Sequence, residues 1–142
     1  MPCKMIIVLD TNVFISALVK DSTTRRLIVE NKNILLFPEN IFQEVREHKE
    51  EIIKKTGLSQ EDYSKLISKI LKYVYIIPNE LVISKRDQAY DIVKDIDLDD
   101  ILFFATALVF KNSVIWSDDK KLKNQDKIKV LNTKEIKGLF ES

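Results

Sequence analysis

The chain of 142 residues contains one cysteine, one histidine, two glycines and three prolines. With Cys3 as the only thiol, no intrachain disulfide can form and nothing points to an oxidising compartment. One Cys and one His are too few for the nitrogen and sulfur ligand sets that zinc prefers. His48 would be the only imidazole base for Ser-His-Asp or Cys-His chemistry, and no Ser sits in a strained elbow sequence. Gly57 and Gly138 cannot build a phosphate-cradling glycine loop, which excludes the standard modes of ATP and dinucleotide binding. The scarcity of Gly and Pro also removes any candidate linker or low-complexity segment. Near the start the only apolar run is Met5 to Leu9, which Asp10 ends well short of a signal-peptide core or membrane span. A cytoplasmic protein is expected.

What is present is a balanced, core-forming composition. Hydrophobic residues make up 45% of the chain, and 23 Lys plus Arg face 22 Asp plus Glu for a formal net charge of +1. This length suits one domain over residues 1–142 with a real core. A generally cationic nucleic-acid coat is excluded, so a polyanion would have to be held locally. Short β-branched runs at Met5 to Leu9, Ile34 to Phe37, Val74 to Ile77, Val114 to Trp116 and Ile128 to Leu131 are of strand length. Between them, helical periodicity spans Asn12 to Asn31, Ile41 to Lys55, Gln60 to Lys72, Ser84 to Lys94, Asp99 to Lys111 and Thr133 to Phe140. Uninterrupted apolar strands alternating with helices predict a three-layer α/β/α sandwich, with a mainly parallel sheet of about five strands.

The acids carry the chemistry. Asp10 directly follows the apolar run IIVL, at the carboxyl edge of the first strand, where open α/β sheets bind ligands; an Asp there also caps the next helix. Glu44 borders an apolar helical face made by Ile41, Val45, His48 and Ile52. Between residues 80 and 100, seven acids stand against three bases, with Asp95, Asp97, Asp99 and Asp100 crowding the start of the apolar helix ILFFATALVF. One of them suffices as a cap, and Asp100 shares a helical face with Phe104 and Ala107, which aims it inward. Ser117, Asp118 and Asp119 repeat the placement of Asp10 at the end of a second strand. Acids from separate elements gathered at one sheet edge suggest an all-oxygen site for Mg²⁺ or Mn²⁺.

LDTNVF (Leu9 to Phe14), a helical Glu in PENIFQEV (Pro38 to Val45), DLDDILFFATAL (Asp97 to Leu108) and IWSDDKKL (Ile115 to Leu122) together resemble the successive motifs of PIN-domain nucleases, over nearly the whole chain. The family includes toxin ribonucleases of toxin–antitoxin pairs. The resemblance implies metal-dependent hydrolysis of RNA phosphodiesters by water activated on one or two Mg²⁺ or Mn²⁺ ions. Carried over residue by residue, it assigns Asp10, Glu44, Asp100 and Asp119 as catalytic metal ligands, with Asp97 and Asp118 as additional candidates and Asn12 and Ser117 in support. Ser117 favours Asp119 over Asp118 as the fourth acid, and the doubled acids leave that register open. The resemblance also implies a homodimer and admits an antitoxin partner.

Substrate contacts need cations. Between residues 111 and 137, eight Lys stand against four acids, and Lys120, Lys121 and Lys123 beside the acidic motif are candidates for phosphate binding; a solvated basic surface is the plain alternative. A haloacid-dehalogenase-like phosphatase needs a second Asp where Asn12 stands. A receiver domain does not use acids at the positions of Asp100 and Asp119. The rival of another class is a PIN fold that binds RNA or a partner and cleaves little.

Overall fold

The computed structural model describes residues 4–19 and 22–141; Cys3 lies outside them. Strands β1 (Ile6–Leu9), β2 (Ile34–Pro38), β3 (Tyr75–Ile77), β4 (Val114–Trp116) and β5 (Val130–Leu131) form one sheet in the order β3-β2-β1-β4-β5, every pair parallel. The sheet grows from β1 towards β2 and β3, then reverses to β4 and β5. The strand order therefore switches at β1, and the carboxyl ends of β1 and β4 flank the resulting crevice. Leu9 pairs with Trp116, which sets Asp10 beside Ser117.

Alternating side chains on β1 feed two cores. Ile7 and Leu9 join Phe14, Ile28, Ile41, Ile52 and Ile70 on one face of the sheet, while Val8 joins Val82, Val93 and Phe104 on the other. The first face carries α1 (Thr11–Ser16), α2 (Thr23–Glu30), α3 (Ile41–Glu47), α4 (Lys49–Thr56), α5 (Gln60–Leu71) and α9 (Thr133–Glu141). The second carries α6 (Asn79–Val82), α7 (Arg86–Val93) and α8 (Ile101–Val109). This is the expected three-layer sandwich. Along α8, Phe103 to Ala107 are buried without interruption, as a helix apolar on all sides requires. The apolar residues of α5 pack inward: Tyr63 and Ile70 are buried, and Leu66, Ile67 and Leu71 lean on the same core.

The helices differ from expectation in where they break. The periodic segment Asn12 to Asn31 is two helices: α1 ends at Ser16, and α2 starts afresh on the Ser22 hydroxyl, which accepts the Arg25 N–H at 3.0 Å; residues 20 and 21 lie outside the described residues. Ile41 to Lys55 is also two helices, hinged at His48, whose backbone is non-helical at φ −107° and ψ 11°. His48 consequently leaves the apolar face of Ile41, Val45 and Ile52 and stands exposed, 3.1 Å from Glu51. Gly57 stops α4 in the left-handed conformation at φ 74°. Val93 to Ile101 is not one junction but a cap and a 3-10 turn over Leu98–Asp100, which delays α8 to Ile101. No helix among the described residues is long and apolar enough to cross a membrane.

Candidate metal centre

Each site acid owes its place to a local rule of chain geometry. Asp10 caps α1: its Oδ1 accepts the Val13 N–H at 2.8 Å, while its own N–H bonds to the Trp116 carbonyl on β4. It is 3% exposed. The Ser117 hydroxyl sits between the two strand ends, donating to the Asp10 carboxylate and accepting the Asp119 N–H at 3.1 Å. Asp97 caps the 3-10 turn by accepting the Asp99 N–H at 3.0 Å, and that turn delivers Asp100 to the crevice at the start of α8. Asp99 itself is exposed at the rim.

One carboxylate oxygen each from Asp97, Asp100 and Asp119 lies within 4.8 Å of the others. These residues, with Asp10 and Glu44, line a cleft of about 820 Å³ at the carboxyl end of the sheet. Eight of its lining residues are acids, and Lys55 is its only Lys or Arg among the described residues. The electrostatic consequence is visible at two of them. Burial, followed by the charges of Asp97, Asp10 and Asp119, pushes the Asp100 carboxyl up to about 7. Burial pushes Asp10 up to about 6, against the lowering effect of its bonds from Ser117 and Val13. Both groups hold a proton above the ordinary carboxylate range, because burial and the neighbouring carboxylates penalise their charged forms. The donor set is all oxygen, and the single His is exposed and turned to Glu51. That chemistry fits a hard dication and does not fit zinc.

The sequence-derived residues separate into distinct environments. Asp119 is in the close group. Asp118 is engaged elsewhere: its two oxygens accept the Thr133 N–H and hydroxyl, each at 2.7 Å, at the start of α9. Asp97, only an additional candidate from sequence, belongs to the close trio. Glu44 faces the same cleft from α3, but its carboxylate is bonded by the Thr11 hydroxyl and by Asn40 Nδ2 at 3.1 Å. Asn12, expected in support of Asp10, is exposed at the rim of the cleft, and its neighbour Thr11 bonds Glu44. Asp95 is exposed and outside the cleft lining.

Of the lysines, Lys121 reaches the trio, with Nζ 3.5 Å from Asp97 and 4.0 Å from Asp119. Lys123 pairs with Glu135, and Lys120 is exposed. Sequence reasoning missed Thr11 and Asn40. A Thr directly after a strand-end Asp, and an Asn one turn before a helical Glu, were the available signals.

Comparison with known proteins follows the same lines. A family model described as PIN domain matches residues 8–137. Among solved structures, the fold is similar to a chain in the crystal structure of VapBC2 from Rickettsia felis bound to a DNA fragment from their promoter. The TM-score is 0.67 at 16% identity, covering 90% of this chain and 98% of that one. No curated protein matches the chain significantly.

Proposed function

The chain belongs to the PIN-domain family, and on that premise we propose that it is a metal-dependent endoribonuclease, the toxin of a toxin–antitoxin pair, working as one domain over residues 1–142. The observation that carries this reading is the convergence of Asp97, Asp100 and Asp119 beside Asp10 in one cleft, with two of the four held far from ordinary carboxylate titration. Asp97, Asp100 and Asp119 would hold Mg²⁺ or Mn²⁺, with Asp10 and Glu44 contributing directly or through water. When bound, such an ion supplies charge neutralisation at the phosphodiester and a nucleophilic water at neutral pH. The protein's own part is orientation. Ser117 and the Val13 N–H fix Asp10, the 3-10 turn fixes Asp97 and Asp100, and the Asp119 N–H is tied to Ser117. Net hydrolysis adds water across one P–O bond, leaving a phosphate monoester and an alcohol. Lys120 and Lys121, one and two residues beyond Asp119, would meet the phosphates of RNA entering an otherwise repulsive cleft.

A second reading is favoured by the charge of the cleft itself. Eight acids against one lysine also suit a basic protein segment, so a PIN fold that receives a partner and cleaves little has a specific observation behind it. Both readings accommodate an antitoxin, which the likeness to VapBC2 supports. A homodimer is part of the proposal on family grounds, and a reducing, cytoplasmic setting suits a chain with one cysteine. The test is incubation of single-stranded RNA with Mn²⁺, Mg²⁺ or EDTA, with Asp10→Asn in parallel. Cleavage that needs the metal and is lost in the variant is expected. Cleavage that ignores the chelator or survives the substitution overturns the nuclease reading.

A further inference from the structure

Glu44 is held differently from Asp10, Asp97 and Asp119. The carboxylates of Asp10, Asp97 and Asp119 each accept a peptide N–H within three residues, so their orientation follows from local turns. Glu44 lies within the helical run of α3, with a longer side chain and no such local donor. Its two oxygens are instead taken by two side chains from different places: Oε2 by the Thr11 hydroxyl and Oε1 by Asn40 Nδ2. Thr11 is the residue after Asp10 and opens α1, so its bond ties Glu44 to the chain segment that carries Asp10. Asn40 precedes α3 by one residue and does not cap it, since its side chain makes no bond to the helix N–H groups. Its Oδ1 is buried without a partner, which leaves the bond to Glu44 as the amide's use; an unsatisfied buried oxygen calls for such a reason.

We propose that Thr11 and Asn40 are positioning residues that lock Glu44 to the Asp10 end of the cleft, an inference that rests on the nuclease reading. Each carboxylate oxygen carries two lone pairs, and the two donors occupy one apiece. Glu44 therefore faces the cleft as a fixed acceptor with a free lone pair on each oxygen. It is suited to orienting a water or the solvent shell of a cation, while neither oxygen is free of other donors to act as one arm of an undivided two-oxygen ligand. A Glu without its clamp would sample several rotamers and present that acceptor only part of the time.

The experiment is a double-mutant cycle of Thr11→Val and Glu44→Gln in the full chain, with Thr11→Ser as rescue and Asn40→Ala as an independent break of the clamp. Cleavage of single-stranded RNA in Mn²⁺ gives kcat and KM, and calorimetric titration with Mn²⁺ alone gives an affinity that needs no activity. Thr11→Val is expected to lower kcat by about 10- to 100-fold with KM within about 2-fold, and Thr11→Ser to return to within about 3-fold of the parent. The double variant is expected to be no slower, and to bind Mn²⁺ no more weakly, than Glu44→Gln. Additive losses in both readouts, or failure of Thr11→Ser to rescue, overturn the clamp. Should the parent cleave no RNA, the nuclease reading fails, while a non-additive Mn²⁺ cycle still upholds the clamp. If Thr11→Val does not fold, Asn40→Ala against Glu44→Gln runs the same cycle: non-additive losses uphold the clamp and additive losses overturn it.

Discussion

Asp118 and Asp119 are chain neighbours with opposite employment. Asp118 accepts two hydrogen bonds from Thr133 and fastens the start of α9, whereas an Asp119 oxygen lies within 4.8 Å of oxygens of Asp97 and Asp100. Substitution should separate the two roles. Asp118→Ala is expected to lower stability by about 1 kcal/mol, roughly 4 °C in melting temperature, through loss of a helix-start acceptor, with RNA cleavage retained. Asp119→Asn is expected to keep the melting temperature and lose about 100-fold or more in cleavage. Thermal melts and single-turnover cleavage of the two variants check this, and the reverse pattern would exchange the assignments.

Asp100 sits where burial and four neighbouring carboxylates, Asp97, Asp10, Asp119 and Asp99, oppose its charge. In metal-free protein at pH 7.5, Asp100→Asn should therefore raise the melting temperature by several degrees while abolishing cleavage, because it removes a repelled charge and keeps the side-chain shape. Differential scanning calorimetry in EDTA checks it. A fall in melting temperature would show that Asp100 serves the fold.

The same two acids set the pH dependence of the metal-free protein. Asp10 and Asp100 titrate at about 6 and about 7 in the fold against 3.8 for the ordinary group. Below about pH 4 folded and unfolded chains both carry these protons, and the full contribution to stability is present. As pH rises, the unfolded chain releases them first, so stability falls through about 6 and 7 and levels off above. The melting temperature without metal should thus drop between pH 5 and pH 8, less steeply in Asp100→Asn. Added Mn²⁺ should restore it at pH 8 and do little at pH 5, where protons compete for the same oxygens.

Lys121 lies 3.5 Å from Asp97 and is itself largely exposed, a weak pair that a dication would have to displace. Lys121→Gln is expected to tighten Mn²⁺ binding by about 2- to 5-fold at low ionic strength, with the difference fading in 0.5 M salt as screening grows. Calorimetric titration at the two salt concentrations checks it; weaker binding in the variant would instead make the lysine a support of the trio.

How much of this could be read from residues alone follows from which forces are local. Four of the strands were legible because a sheet covered on both faces needs uninterrupted apolar runs, while β5 is only Val130–Leu131, shorter than the expected Ile128 to Leu131, which Lys129 interrupts. Asp10 and Asp119 were legible because they follow such runs at the carboxyl edge. The hinge at His48 and the gap between α1 and α2 were not, since apolar periodicity continues across both breaks while the backbone leaves the helix. Asp97 looked like a spare acid because its cap of a 3-10 turn has no periodic signature, yet that turn brings it to Asp100. The bond between Thr11 and Glu44 spans 33 residues and depends on α1 meeting α3, which no local pattern encodes.

The most direct measurement is anomalous diffraction from crystals of the protein soaked in Mn²⁺ at neutral pH. A peak is expected in contact with carboxylate oxygens of Asp97, Asp100 and Asp119, and it should vanish in Asp100→Asn. A map with no peak among those oxygens at saturating Mn²⁺, or with the ion held by Asp118 outside the cleft, would contradict the assignment of a catalytic cation to this site.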